Sequence, residues 1–191
     1  MSLMMKRSSI RKYTNQMVEK EKVIQLLKAG MQAPSAKNQQ PWEFIVVDDK
    51  SILKTLSNAS VGAWMLNDAQ LAIIPMIMKS EKAPHFSVQD LSAATENILL
   101  EATNQGLGAV WIGVYPLQER VDFVEATLGI KGEDHPFAMI AIGYPEKQNE
   151  IKCATIALND VLAAVTEADE RYQKVQDEID VLVGLLRGLQ P

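Results

Sequence analysis

Residues 6–13, Lys6-Arg7-Ser8-Ser9-Ile10-Arg11-Lys12-Tyr13, pack four basic side chains and three hydroxyls into eight positions. Guanidinium forks and serine hydroxyls are suited to a phosphate, although a basic N-terminal run also reads as a solvated tail. A second candidate is APSAKNQQPWEFIVV, Ala33 to Val47. Pro34 ends a helical pattern, and Ser35, Lys37, Asn38, Gln39 and Gln40 follow as a polar break. Pro41 and Trp42 then lead into a β-rich run. Amides and hydroxyls in such a break either meet a ligand or form a plain surface loop. The third is Gly106-Leu107-Gly108-Ala109-Val110-Trp111-Ile112-Gly113, where glycines permit tight turning and close approach of a flat ligand. The plain alternative is a helix C-cap followed by a core strand.

Other chemistries lack their residues. No GxGxxG follows a strand and there is no GxxxxGK[ST] loop, which argues against a Rossmann dinucleotide fold and a P-loop NTPase. No GxSxG elbow is present, and Cys153, the single cysteine, lies in a lysine-flanked stretch without a nearby histidine. One cysteine excludes an intramolecular disulfide and a multi-cysteine zinc site, and fits a reducing cytoplasm. His85 and His135 each adjoin a proline and have no ligand-type neighbour at metal spacing, so no metal is expected. A formal net charge of -5 gives no electrostatic reason to expect nucleic acid or an anionic membrane. MSLMMKRSS lacks the apolar core of a signal peptide, and no apolar run is long enough to span a membrane.

The elements that must position these groups are legible from periodicity. Val23, Ile24, Leu26, Leu27 and Met31 predict an amphipathic helix over Glu19 to Gln32, with Gly30 near its end. Glu43 to Asp48 reads as a buried strand, and a helix follows from Ile52. AQLAIIPMIMK is another buried strand, in which Pro75 predicts an edge position or a break. Ser87-Val88-Gln89-Asp90 has the form of a capping box opening a helix that continues to Gly106. Ala109 to Tyr115 and Phe137 to Gly143 are strands, with a helix over Gln118 to Leu128 between them.

Beyond Pro145 the pattern changes. Val161, Val165, Ala168, Tyr172, Val175, Ile179, Leu182, Leu186 and Leu189 step by four and three, an a/d heptad seam. A helix of about 30 residues would reach roughly 45 Å, more than a small domain's own surface needs. The chain therefore divides into a domain over 4–150 and a mostly helical extension over 151–191, expected to pack on a partner subunit.

RSSIRKY, APSAKNQQPWEFIVV, QDLSAATENILLEATNQGLGAVWIG and IAIGYP, in that order and spacing, resemble the FMN-dependent nitroreductase family from Met4 to Pro145. The resemblance implies an α+β fold with a mixed, mainly antiparallel sheet flanked by helices. It also implies a homodimer with two FMN molecules in the subunit interface and NADH or NADPH as co-substrate. Carried over position by position, Arg7 and Ser9 match residues that hold the FMN phosphate. Ser8 stands where many members have a second basic residue. Arg11 matches the cation near flavin N1 and the C2 carbonyl. Pro34, Ser35 and Asn38 match the segment that lies on the ring from the partner subunit, and Trp111, Ile112 and Gly113 match the backbone near N5. Many members carry an arginine beyond the GYP motif; here Lys147 or Lys152 would have to replace it.

The resemblance further implies ping-pong hydride transfer from NAD(P)H to a nitroaromatic, quinone or flavin, with the flavin carrying the chemistry and no side chain as general acid or base. Dehalogenating and flavin-fragmenting members share this site but typically add a lid, for which the stretch from Ile52 to Phe86 is short. A third reading, from the heptad seam, is a non-enzymatic interaction module.

Overall fold

The computed structural model describes residues 2–147 and 165–180. The chain divides at Glu150 into two units. In the first, helices α1 (Leu3–Lys6) and α2 (Lys20–Met31) precede strand β1 (Trp42–Val47). Then come α3 (Lys50–Leu56), a 3-10 turn (Val61–Asn67) and β2 (Leu71–Ile77). Helix α4 (Ser87–Asn104), strand β3 (Gly108–Gly113) and helix α5 (Gln118–Leu128) lead to the short β4 (His135–Pro136) and to β5 (Ala138–Gly143). In the second unit residues 165–180 form helix α6. Val165, Tyr172, Val175 and Ile179 of the heptad seam are exposed on it. The seam positions Val161, Leu182, Leu186 and Leu189 lie outside the described residues.

The four longer strands are all antiparallel in the order β1-β2-β5-β3, with β4 also on β2. Side chains alternate across this sheet with period two. Leu71, Ile73, Ala109, Ile140 and Ile142 face Leu26 of α2 and Ile98, Leu99 and Ala102 of α4. Ala72, Ile74, Met76, Val110, Ile112, Met139 and Ala141 face Leu53 and Leu56 of α3 and Val121 and Val124 of α5. Because both faces are covered, the strands read as unbroken apolar runs rather than as an alternation.

Gly30 lies near the end of α2, as the pattern predicts; a Cβ there would sit 3.0 Å from Ile98 and Phe44, so the glycine sets how closely α2 meets α4 and β1. Two expectations change in detail. Pro75 is neither on an edge nor at a strand end. It pairs with Phe44 on one side, and on the other its carbonyl accepts from Phe137 N at 2.8 Å. Met78 N donates to Pro41 O, so the alternation turns the nitrogen of Pro75 away from β1. It faces the place where pairing jumps from Ile73↔Ile140 to Met76↔Pro136, a one-residue bulge that requires no donor. Finally, Ser87 is the first residue of α4, after a 3-10 turn at Pro84–Phe86, and makes no capping bond. Asp90 is turned elsewhere, as described below.

Asp49 is the cap that α3 does have, accepting from Ser51 N at 2.8 Å and Ile52 N at 3.1 Å. The Ser51 hydroxyl, and then the two amides, hold its carboxyl below the ordinary carboxylate range. A folded-state pKa below the unfolded one adds stability above about pH 4 that is lost as pH falls through the folded value. Asparagine caps as well but does not titrate. Melting temperatures measured from pH 7 to pH 3 are therefore expected to show wild type above Asp49→Asn at neutral pH, with the gap closing in acid.

Candidate cofactor site

Ser9 and Ile10 lie on the open edge of β3, and residues 12–14 on the chain that continues from β5. Ser9 bridges Ala109 in the parallel sense, Ile10 N donates to Ala109 O at 3.0 Å, and Tyr13 bridges Pro145. Thr14 N to Tyr144 O (2.8 Å) and Glu146 N to Lys12 O (3.1 Å) complete the attachment. Gly108 makes the approach possible, since a Cβ on it would lie 2.6 Å from Ile10 Cγ2. Tyr13 anchors the segment from within: its hydroxyl lies 2.6 Å from Ile10 O and 3.1 Å from Ala141 O. Burial pushes its phenol far above the ordinary range, only partly offset by the Arg11 charge, so it stays a neutral donor. With Ile10 and Tyr13 turned inward, Ser9, Arg11 and Lys12 are left exposed.

These residues line a cleft of about 440 Å³ with Trp64, Glu146 and Lys147. Trp64, from the 3-10 turn after α3, is 45% exposed. Arg11, Lys12 and Lys147 form no ion pair among the described residues, and Glu146 is the one acid in the lining. A cleft with three cations, a hydroxyl and one carboxylate selects an anion. Lys147 joins the N-terminal cluster here, whereas Lys152 lies outside the described residues. Arg7 stands apart from the cleft, its Nε 3.3 Å from Glu96 Oε1 on α4, and Ser8 is half-buried.

The polar break after α2 is a strained loop. Lys37, Asn38 and Gln40 have φ of 50°, 50° and 46°, left-handed conformations that cost about 1–2 kcal/mol each at Lys37 and Gln40 and less at Asn38, since asparagine tolerates this region. Ser35 Oγ accepts from Gln40 N at 3.0 Å, while Pro41 and Trp42 are buried where the loop enters β1. Asp90, buried at the start of α4, turns both oxygens to this loop, accepting from Ala36 N at 2.9 Å and Gln39 Nε2 at 2.6 Å. Pro34 and Asn38 are exposed and Ser35 is half-buried.

On β3 the three matched residues diverge. Trp111 tilts against Phe137 with ring centres 5.5 Å apart, and Ile112 is in the core. Gly113 ends the strand exposed, its carbonyl accepting from Arg120 Nη1 at 2.9 Å. The structure thus brings Ser9, Arg11 and Lys147 into one cleft whose lining includes none of Pro34, Ser35, Asn38 or Trp111. Sequence reasoning missed Trp64, and it had Lys12 in the basic run, Gln39 in the polar break and Asp90 in the capping box without these roles. Trp64, Gln39 and Asp90 acquire them only from partners far along the chain. Among the described residues no cluster of His, Cys, Asp or Glu could hold a metal, and no helix is long and apolar enough to cross a membrane.

Residues 4–78 and 63–144 match the model of the nitroreductase family. The chain belongs to the nitroreductase family. A relative from Archaeoglobus fulgidus named "Putative NADH dehydrogenase/NAD(P)H nitroreductase" is 44% identical over 75% of this chain and 84% of its own length. The solved structure of an FMN-dependent nitroreductase from Clostridium difficile superposes with a TM-score of 0.73 at 35% identity, covering 78% of this chain and 89% of the other. A family structure in complex with FMN, from Desulfovibrio desulfuricans, gives a TM-score of 0.66 at 30% identity over 78% of this chain and 87% of the other.

Proposed function

We propose that this protein, an FMN-dependent oxidoreductase that uses NAD(P)H, is a homodimer reducing nitroaromatics, quinones or free flavins by a ping-pong mechanism. When bound, FMN supplies the hydride chemistry at N5, accepting from NAD(P)H in one half-reaction and giving to the electron-poor acceptor in the next. The observation that carries the reading is the cleft of Ser9, Arg11, Lys12 and Lys147. FMN has a phosphate with nearly two negative charges and a ring that becomes anionic on reduction, so it needs cations at two separated places. The donor set fits: Ser9 and Lys147 hold the phosphate, Ser8 lies beside it, and Arg11 reaches the ring's pyrimidine edge. Arg7 joins the phosphate by giving up its half-exposed pair with Glu96, which is worth at most about 1 kcal/mol.

Pro34, Ser35 and Asn38 present a polar rim to the ring, and Trp111 to Gly113 back the N5 side. Since the cleft of one chain is not lined by its own polar loop, the second copy's loop completes the site. The protein then has to exclude water and position two substrates in turn, which requires no general acid or base among its side chains. Of the stretch from Ile52 to Phe86, α3, the 3-10 turn and β2 take up the residues as far as Ile77, with Leu53, Leu56, Ala63, Met65 and Leu66 buried and Val61 and Trp64 exposed. Residues 78–86 are all that is left for a lid, which supports simple reduction over the dehalogenating and flavin-fragmenting alternatives. Helix α6, with Val165, Tyr172, Val175 and Ile179 exposed on it, packs on the partner, and the single cysteine supports a cytoplasmic location.

Anaerobic stopped-flow mixing of the FMN-loaded protein with NADH or NADPH, followed by an acceptor panel, tests the reading. Flavin bleaching by at least one nucleotide and recovery by acceptor are expected. Protein that stays colourless after incubation with excess FMN would remove the enzyme reading and leave the interaction module.

A further inference from the structure

The side chain of Gln39 uses every hydrogen-bonding position it has. Its Oε1 accepts from Ser80 Oγ (2.7 Å) and Ala83 N (3.1 Å), and its Nε2 donates to Ala83 O (2.9 Å) and Asp90 Oδ2 (2.6 Å). Only one orientation of the amide satisfies this set, because the flipped amide would point its NH2 at the Ala83 amide. The other oxygen of Asp90 accepts from Ala36 N at 2.9 Å. Asp90 is 6% exposed and has no cation beside it among the described residues. An acidic side chain placed there bears the cost of desolvation without an ion pair, and a helix start accepts many capping residues that carry no such cost. What Asp90 gains instead is a hold on the two ends of the turn that contains Lys37 and Asn38, both left-handed, with Gln40 left-handed just beyond. Released, three such residues would relax toward ordinary basins.

We infer that Asp90 and Gln39 are positioning residues: the clamp fixes the strained turn so that Asn38 and Ser35 meet the flavin edge preorganised. This rests on the proposed contact between that turn and the ring. Through Ser80 and Ala83 the same clamp ties the segment between β2 and α4 to the turn, so neither moves without the other. Loss of the clamp lowers the fraction of turns in the binding geometry, and the apparent affinity falls by that fraction.

Four full-length variants test this by FMN fluorescence titration, the visible spectrum of the bound flavin and melting temperature. Asp90→Asn turns an NH2 toward a donor; if the competent fraction drops to roughly one tenth, FMN Kd rises about tenfold, and the flavin band changes shape. Gln39→Ala, at a half-buried position, is expected to act in the same direction and serves if Asp90→Asn does not fold. The double variant Gln39→Glu with Asp90→Asn re-forms the bridge with donor and acceptor exchanged. The new amide on α4 still accepts from Ala36 N through its oxygen, and its NH2 donates to the new carboxylate in the turn. This variant is expected to restore the wild-type band and part of the lost affinity, since the carboxylate oxygen that replaces Nε2 now opposes Ala83 O, from which it cannot accept. Wild-type affinity and spectrum in folded Asp90→Asn or Gln39→Ala would overturn the clamp. A lowered melting temperature with an unchanged flavin band, not rescued in the double variant, would also overturn it, since that is the signature of a purely structural role. Asn38→Ala separates the layers. If it leaves FMN affinity and spectrum unchanged, the contact between turn and flavin fails and the clamp's role with it. If it alters them while the clamp variants do not, only the clamp fails.

Discussion

Replacing Arg11 with alanine is expected to lower the midpoint potential of bound FMN by up to about 35 mV and to weaken binding of the oxidised cofactor about tenfold. A charge-assisted hydrogen bond is worth up to about 3 kcal/mol, of which about 1.4 kcal/mol is the tenfold loss in the oxidised state, and for a two-electron couple the remainder converts at about 30 mV per 1.4 kcal/mol. The potential moves because Arg11 is assigned to the edge of the ring that gains negative charge on reduction, so its contribution is larger to the reduced cofactor than to the oxidised one. Lys147→Ala is the paired control. It removes a cation from the same cleft, one assigned to the phosphate rather than to the ring, and should weaken binding while leaving the potential where it was. Dye-equilibrated reduction and fluorescence titration read the two quantities separately. An Arg11→Ala protein with wild-type potential would move the guanidinium away from the ring.

Gly108→Ala is expected to lower stability by about 1–3 kcal/mol and, unlike an ordinary core lesion, to weaken FMN at the same time. The new methyl would stand 2.6 Å from Ile10 Cγ2 and 2.7 Å from Ile10 Cβ. Because Cβ itself is in the way, no rotamer of Ile10 escapes and Ile10→Ala relieves only part of the clash. The N-terminal segment must lift off β3, taking Ser9 and Arg11 with it. Gly106→Ala, two residues away, supplies the contrast. Gly106 has φ +74° and an added methyl would meet nothing within 4 Å, so the substitution loses stability through backbone strain alone. Its FMN affinity should match wild type. Thermal melts and fluorescence titration of the two variants decide the matter, and equal FMN affinity in both would show that the segment does not depend on Gly108.

Much of this architecture was legible because local and global signals agree. Gln118 to Leu128 is a helix over the span its periodicity predicts, and the apolar runs of β2, β3 and β5 are strands because both sheet faces are covered. Misreadings occur where a residue serves a distant partner. Ser87 and Asp90 carry a capping-box spelling, yet Asp90 bonds to residues more than fifty positions earlier, an option that no local pattern encodes. Pro75 looks like a strand breaker until the bulge opposite it is known, and the bulge is set by β4 and β5 about sixty residues later. Family resemblance brought Ser9 and Arg11 into view, but it left Lys147 and Lys152 as equals. Only the attachment of Lys12 to Glu146 puts one of them beside the cluster.

That attachment also bears on how the protein comes to be made. Ser9 pairs with Ala109, Tyr13 with Pro145 and Lys12 with Glu146, so the cluster is synthesised about 100 residues or more before the partners that hold it. Contacts this remote in sequence close late, after the sheet they rest on has formed. A growing chain consequently has no complete cleft until Glu146 and Lys147 have emerged. A ligand that binds the closed cleft, as proposed for FMN, shifts the equilibrium toward the state in which these distant segments meet.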